Sequence, residues 1–333
     1  MRFLFIVPDL VSGARRRVHE EIQRRTPLKN SGLLRRILTH PQLYTHVVWG
    51  GTLNLFRHAK VVQQLGAEVA MLSPTGKDTY GTQWGLYDFD YIAFSERRPD
   101  DVVIVPDYAS DLVNEIDGRV IVYQQVPIHL YRNFDYQSDR VTLWTDSPFM
   151  LEKCQEVFPG KEIPIVPNVV DDAMFPFVPQ AERDEGLVFA FPRKGSDYIA
   201  ETRRRYRDLG GRYWHFELID GIPIKTLAEH FRRPQAFLAS AEVEGCALPP
   251  QESMAAGVIV IGKNARGANF AMEHGKTAMI GETPEEAAAA LRQAEDEALR
   301  TAVAQRAHDW ISRYFPPNEP TAFWRDNLER YGR

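Results

Sequence analysis

Short apolar runs of the kind that fill buried parallel strands alternate with segments of helical spacing along this chain, and the alternation occurs twice. Residues 3–7 (Phe-Leu-Phe-Ile-Val) open the first series, and 68–72, 102–105, 119–123, 141–144 and 163–166 continue it. Between the first two runs, residues 53–65 have helical spacing through Leu55, Ala59, Val62 and Leu65, and Gly66 stops them. Runs that are apolar on both faces suit a parallel sheet covered by helices on each side, where neither face meets water. The second series is 187–191, 214–219, 236–239 and 258–261, with a helical stretch over 197–209. Thr283-Pro284-Glu285-Glu286 then reads as a helix start: a threonine cap, proline at the first position and glutamate three residues after the cap. Helices follow it to Tyr314. The predicted class is α/β, with two Rossmann-like doubly wound domains facing each other across a cleft.

A length of 333 residues agrees with two domains, because single cores stop growing near ~250–300 residues. Pro176, Pro179 and the mixed polarity of 168–183 mark a linker, so the expected domains are 1–175 and 176–317. Residues 315–320 (Phe-Pro-Pro-Asn-Glu-Pro) break the last long helix. The amphipathic end, 318–333, carries Ala322, Phe323, Trp324, Leu328 and Tyr331. It either returns to complete the first domain or remains a terminal helix on the second.

A formal charge of −5 argues against a nucleic-acid binder. Cys154 and Cys246, the only cysteines, stand far apart with no histidine cluster beside them, which argues against a disulfide scaffold or a structural zinc site. The apolar start is too short for a secretory leader, and no run approaches the ~20 residues of a membrane span, so the expected location is cytoplasmic. No Gly-x-Gly-x-x-Gly follows residues 3–7, which speaks against a nicotinamide dehydrogenase. One segment runs against the overall charge. Residues 15–36 hold eight Lys or Arg, from Arg15 to Arg36, against Glu20 and Glu21. Such a segment suits either peripheral contact with an anionic membrane surface or a solvated loop.

The residues most suggestive of chemistry lie between Glu244 and Ile261. Glu244-Gly245-Cys246-Ala247-Leu248-Pro249-Pro250 forms a small turn-rich loop, Glu252 opens a short apolar helix, and Gly257 ends it before a β-branched run. A loop of small residues feeding a helix N-terminus lets backbone N–H groups approach an anion. A carboxylate in the first helical turn is placed to accept hydroxyl hydrogens. Phosphate beside a diol describes a nucleotide or a nucleotide sugar. Arg193 and Lys194 follow the run 187–191 and precede Gly195-Ser196 at a helix start, where two cations suit a diphosphate.

The spacing of Glu244 and Glu252, with Glu-Gly before the loop and Met254-Ala255-x-Gly257 after it, resembles the Glu-x7-Glu signature of retaining GT-B glycosyltransferases of family 4. Asn168-Val169-Val170-Asp171 after Pro167 resembles that family's hinge motif, and Trp144-Thr145-Asp146-Ser147-Pro148 its serine-rich helix cap. Cys246 and Ala247 stand where the family has an aromatic or histidine followed by glycine. The resemblance implies transfer of a sugar from a nucleotide-activated donor with retention of configuration. No metal and no cofactor beyond that co-substrate are implied. It places Glu252 on the ribose hydroxyls, Arg193 and Lys194 on the diphosphate, Glu244 near the donor sugar, and the backbone of Gly245, Cys246, Ala247 and Leu248 at the anion. Weaker donor or acceptor candidates are Gly50 and Gly51 in a glycine-rich loop, Gln124 and His129 after the run 119–123, and Gly221 and Ile222 in the turn after 214–219. Asp88-Phe89-Asp90 mimics the metal motif of the other major glycosyltransferase fold and is read as surface acid. The acceptor is left open among a polysaccharide, a lipid-linked glycan and a small molecule. Two rival readings are a sugar-nucleotide epimerase of the same two-domain fold and a non-catalytic partner subunit.

Overall fold

The computed structural model describes residues 1–11, 43–45, 48–81, 87–166, 168–314 and 318–332. The basic segment 15–36 and Pro167 of the hinge motif lie outside them. The chain divides into two compact units. The first is Met1–Thr145, Cys154–Pro164 and Phe323–Arg333; the second is Asp146–Lys153 and Ile165–Ala322. Residues 146–153 and 165–175, expected in the first domain, cluster with the second.

The first unit is built on a six-stranded, all-parallel sheet. Its strands are β1 (Arg2–Ile6), β4 (Glu68–Leu72), β5 (Tyr91–Ile92), β6 (Val102–Pro106), β7 (Arg119–Gln124) and β8 (Val141–Thr145), in the order β5-β4-β1-β6-β7-β8. Two short strands, β2 (Asp9–Leu10) and β3 (Tyr44–Thr45), pair separately. β1 is buried along its whole length, and Phe3 is in register with Val69 on one side and Val102 on the other. Its central place explains why its sequence is apolar without alternation. The expected strand over 163–166 does not form. Pro164 has no N–H to give a ladder, and its carbonyl simply accepts a 3.1 Å hydrogen bond from the Thr145 N–H.

Helix α1 (Gly50–Gln64) begins earlier than its apolar spacing suggests, so Gly50 and Gly51 are its first two residues rather than a loop before it. A Cβ at Gly51 would stand 2.9 Å from Gln125 Oε1, the end of a flexible side chain. Residues from Phe323 onward, in the last helix, belong to this unit, and Trp324 is fully buried against Phe3, Phe5 and Trp144.

Trp324 Nε1 donates a 3.1 Å hydrogen bond to His58 Nδ1, leaving the proton of the neutral ring on Nε2. Burial, and then the charge of Arg57, push this imidazole down to about 3. An unfolded histidine takes its proton near ~6.5. The unfolded chain therefore binds the extra proton first as pH falls, so this stabilisation is complete above about pH 6.5 and is lost towards pH 3. Urea unfolding should report up to about 3 kcal/mol less stability at pH 4 than at pH 7 from this group. His58→Gln, which keeps an acceptor for Trp324 but cannot titrate, should flatten that slope; an unchanged slope would rule His58 out as its source.

The second unit carries a five-stranded parallel sheet, order β10-β9-β11-β12-β13, from β9 (Asp184–Ala190), β10 (His215–Leu218), β11 (Pro234–Ala239), β12 (Ile259–Gly262) and β13 (Met279–Ile280). Helices α3 (Ser196–Asp208) and α6 (Pro284–Gln293) pack Tyr198, Ile199, Tyr206, Ala287 and Leu291 into its core. The expected start of α6 is present: Thr283 Oγ1 accepts from the Glu286 N–H at 3.2 Å, and the Glu286 carboxylate accepts from the Thr283 N–H at 3.1 Å. The stretch read as a linker is instead packed into this unit. Arg183 is buried and its guanidinium donates to the carbonyls of Phe231 and Pro234, at 2.9 and 3.0 Å, and to that of Ala256. Prolines shape this segment without freeing it, because a buried cation supplies donors to carbonyls left open at two helix ends, Phe231 and Ala256, and at the start of β11.

Candidate functional site

The carboxyl ends of β9, β11 and β12 lie on one edge of the second unit's sheet, the edge at which open α/β sheets hold ligands. β9 runs into Arg193 and Lys194 and then α3. Gly195 caps α3 with φ of 102°, and a Cβ there would meet the Ser240 carbonyl oxygen at 2.4 Å. Ser240 Oγ donates to the Lys194 carbonyl at 2.6 Å, tying this turn to the end of β11. Lys194 Nζ lies 2.7 Å from Glu244 Oε1, with the lysine 44% and the glutamate 15% exposed. Two residues singled out separately in sequence, fifty positions apart, thus form one ion pair. Arg193 stands beside them on the same exposed turn.

The loop after Glu244 is held from several sides by residues whose sequence motifs carried no obvious chemistry. Ser147 Oγ donates to the Gly245 carbonyl at 2.7 Å while accepting from the Met150 N–H at 3.1 Å. Asn168 Nδ2 donates to the Cys246 carbonyl at 3.0 Å and to Gln251 Oε1 at 3.2 Å. Asn269 Oδ1 accepts from the Ala247 N–H at 3.1 Å. The hinge-like and cap-like motifs therefore position this loop. Cys246 is buried and accepts from Gln251 Nε2 at 2.7 Å. Burial, and then the nearby Asp146 carboxylate, push its thiol well above the ordinary range, so it is a neutral packing group.

Helix α5 (Leu248–Ala256) starts at Leu248, four residues before Glu252, which corrects the expected start. Pro249 and Pro250 cause the shift, because proline fits the first turn of a helix where an N–H has no intrahelical partner. Glu252 consequently falls in the second turn, and it is buried, 2% exposed. The prolines carry no N–H and Ala247 gives its own to Asn269, so Leu248 supplies the main-chain N–H of the first helical turn's opening positions.

The weaker candidates fall apart into two places. Gly221, exposed with φ of 65°, and half-buried Ile222 follow β10 at the same sheet edge; among the described contacts none joins them to the loop 244–252. Gly50, Gly51, Gln124 and His129 lie in the first unit. Gln124 is fully buried, and neither atom of its amide has a hydrogen-bond partner among the described residues. Buried amides are normally satisfied, so this one is a candidate for a ligand contact. His129 Nδ1 is 3.3 Å from Asp107 Oδ1, within ion-pair distance but outside hydrogen-bond geometry. Asp107, which sequence reading missed, accepts from the N–H groups of Tyr108, Gln125 and Val126 at 2.7, 2.8 and 2.8 Å. Its position directly after the apolar run of β6 was the available signal. Asp88 and Asp90 are exposed on either side of buried Phe89.

Residues 214–310 match the family model of glycosyl transferases group 1. No curated protein matches. Sucrose-phosphate synthase from Thermosynechococcus elongatus superposes with a TM-score of 0.62 over 99% of this chain and 98% of its own, at 12% identity. The fold is GT-B. HepE from Anabaena, solved with UDP and glucose, gives 0.57 over 99% of both chains, also at 12% identity. The pneumococcal O-GlcNAc transferase GtfA, solved with UDP and GlcNAc, gives 0.55 at 15% identity over 70% of this chain; the match spans 57% of the length of GtfA. Among the described residues no helix is long and apolar enough to cross a membrane.

Proposed function

We propose that this protein is a glycosyltransferase that takes a sugar from a nucleotide-activated donor with retention of configuration and without a metal. The observation that carries the reading is the Lys194–Glu244 ion pair beside the pinned loop 245–248, all at the carboxyl edge of the second unit's sheet. Glu244 and its loop lie within the segment that matches glycosyl transferases group 1. The UDP held by HepE and GtfA supports a nucleotide donor. Arg193 and Lys194 bind the diphosphate, whose charge grows as the bond to the sugar breaks. Glu244 accepts hydrogen bonds from the donor sugar. Glu252 holds the ribose, reached from the second turn of α5. The leaving phosphate takes the acceptor's proton in a front-face displacement, so no protein nucleophile is needed. The acceptor is a polysaccharide, a lipid-linked glycan or a small molecule.

Incubation with a panel of nucleotide sugars, followed by assay of released nucleoside diphosphate, tests this reading. Release should occur with at least one donor and persist in excess chelator, because side-chain cations replace the metal. A donor panel that gives neither turnover nor binding would overturn the transferase assignment. Loss of activity with chelator and recovery on adding a divalent ion would overturn the metal-free mechanism alone.

A further inference from the structure

Helix α5 opens with fewer main-chain donors than a helix N-terminus ordinarily presents. Its first three residues are Leu248, Pro249 and Pro250, and the prolines carry no N–H. Ala247, which caps the helix, gives its own N–H to Asn269 Oδ1 at 3.1 Å. The Leu248 N–H remains, at a helix end whose dipole favours an anion.

Asn269 supplies an independent observation. It lies in the segment after β12 and is 3% exposed. Its main chain is held on both sides: the Asn269 N–H donates to the Asn264 carbonyl at 3.0 Å, and its own carbonyl accepts from the Met272 N–H at 2.9 Å. Asn264 is fixed in turn, with Oδ1 accepting from the Gly267 N–H at 2.9 Å. Only the oxygen of an amide can accept from the Ala247 N–H, so that contact settles which end of the Asn269 side chain is which. The other end, Nδ2, keeps both hydrogens without a partner among the described residues and is not sealed from solvent. Because the amide is planar and compact, Nδ2 stands beside Oδ1, next to the start of α5.

The polarity of this pair is one-sided. The Leu248 N–H and Nδ2 both donate, and neither accepts. A sugar hydroxyl brings a hydrogen that needs an acceptor, whereas a phosphate oxygen is an acceptor only and takes several donors at once. Charge alone does not replace such donors here. Lys194 is already paired with Glu244, and Asp146 and Glu244 both stand close enough to act, after burial, on the Cys246 thiol of the same loop. An anion on this loop therefore meets carboxylates as well as cations, and oriented neutral N–H groups tip the balance towards binding.

We propose that Asn269 is a further donor-binding residue: Oδ1 holds the Ala247 N–H, while Nδ2, together with the Leu248 N–H, donates to a phosphate oxygen of the nucleotide sugar. The amide restores to the start of α5 the donors that Pro249, Pro250 and Ala247 withhold. One side chain thus both pins the loop and grips the phosphate. This inference rests on reading this edge as the donor site.

Calorimetric titration of wild type, Asn269→Asp and Asn269→Ala with UDP and with uridine tests it. Asn269→Asp keeps an oxygen for the Ala247 N–H but has no hydrogens to offer a phosphate, so the loop stays pinned while the grip is lost. UDP affinity should fall by about tenfold or more in this variant, and uridine affinity by less than about threefold, with the melting temperature unchanged. The ratio of wild-type to variant affinity for UDP should persist in 1 M salt, where the Debye length is ~3 Å, because a contact has been lost. Asn269→Ala, which keeps neither atom, should show the same selective loss without adding a charge. Unchanged UDP affinity in both variants would show that Asn269 only pins the loop and would overturn the inference. So would equal losses for UDP and uridine in both variants, or a loss confined to Asn269→Asp that disappears in 1 M salt. Wild type binding UDP no more tightly than uridine would remove both this inference and the donor-site reading beneath it.

Discussion

Trp324→Ala should destabilise the first unit by about 3–5 kcal/mol, the usual cost of emptying a large buried aromatic site. Trp324 is 0% exposed, and its ring centroid lies 5.7 Å from Phe3, 5.9 Å from Phe5 and 5.1 Å from Trp144. These partners line β1 and β8, so the cavity would open against the sheet itself. The substitution also removes the donor to His58 Nδ1 in a buried ring whose Nε2 already has no partner among the described residues. Tyr331 anchors the same helix farther along, with its hydroxyl 3.3 Å from Thr142 Oγ1 and its carbonyl 3.4 Å from Arg119 Nη1. Urea unfolding followed by tryptophan fluorescence and, in parallel, by hydrogen exchange of β1 amides checks the prediction. Trp324→Phe should recover most of the packing but not the hydrogen bond. An unfolding midpoint for Trp324→Ala equal to wild type would show that the last helix contributes nothing to this core.

Replacing both Arg193 and Lys194 by alanine should weaken UDP binding by about a hundredfold or more, since each charged hydrogen bond to phosphate contributes about 1.5–3 kcal/mol. Uridine, which lacks the diphosphate, should lose less than about threefold. The side chains are exposed on a turn whose backbone Gly195 and Ser240 fix, so the fold should survive. Lys194→Ala alone also leaves Glu244 without its 2.7 Å partner, which would misplace the carboxylate proposed to meet the sugar. Equal losses for UDP and uridine would assign this turn a structural role and remove the diphosphate clamp.

Much of the fold was legible because local physics and tertiary environment agreed. Runs such as 70–72 and 120–123, the buried parts of β4 and β7, are apolar because neither face meets water there, while exposed Glu68 and Arg119 stand at the strand starts. The cap at Thr283 was equally readable, being completed within four consecutive residues. Where the readings missed, a distant residue decided. The run 163–166 is as apolar as a strand, but Pro164 cannot donate, and pairing there amounts to the Thr145–Pro164 hydrogen bond and a single bridge position at Ile165. The stretch 168–183 has a linker's prolines, yet Asn168, Gln180 and Arg183 are buried because carbonyls far along the chain need their donors.

The sequence by itself determined the α/β class, the parallel strands and the identity of the charged residues at the second unit's sheet edge, because hydrophobic period and helix capping act over a few residues. Only the tertiary structure decided which of those charges meet. It joined Lys194 to Glu244 and left Arg193 beside them, moved Glu252 into the second turn of α5, and gave Ser147, Asn168 and Asn269 the task of holding the loop after Glu244. It also gathered Glu242, Lys263 and Arg266, whose spacing in sequence carries no pattern. Parallel strands bring residues from separate loops to one edge, and the pairing there depends on side-chain reach across strands, which no local rule encodes.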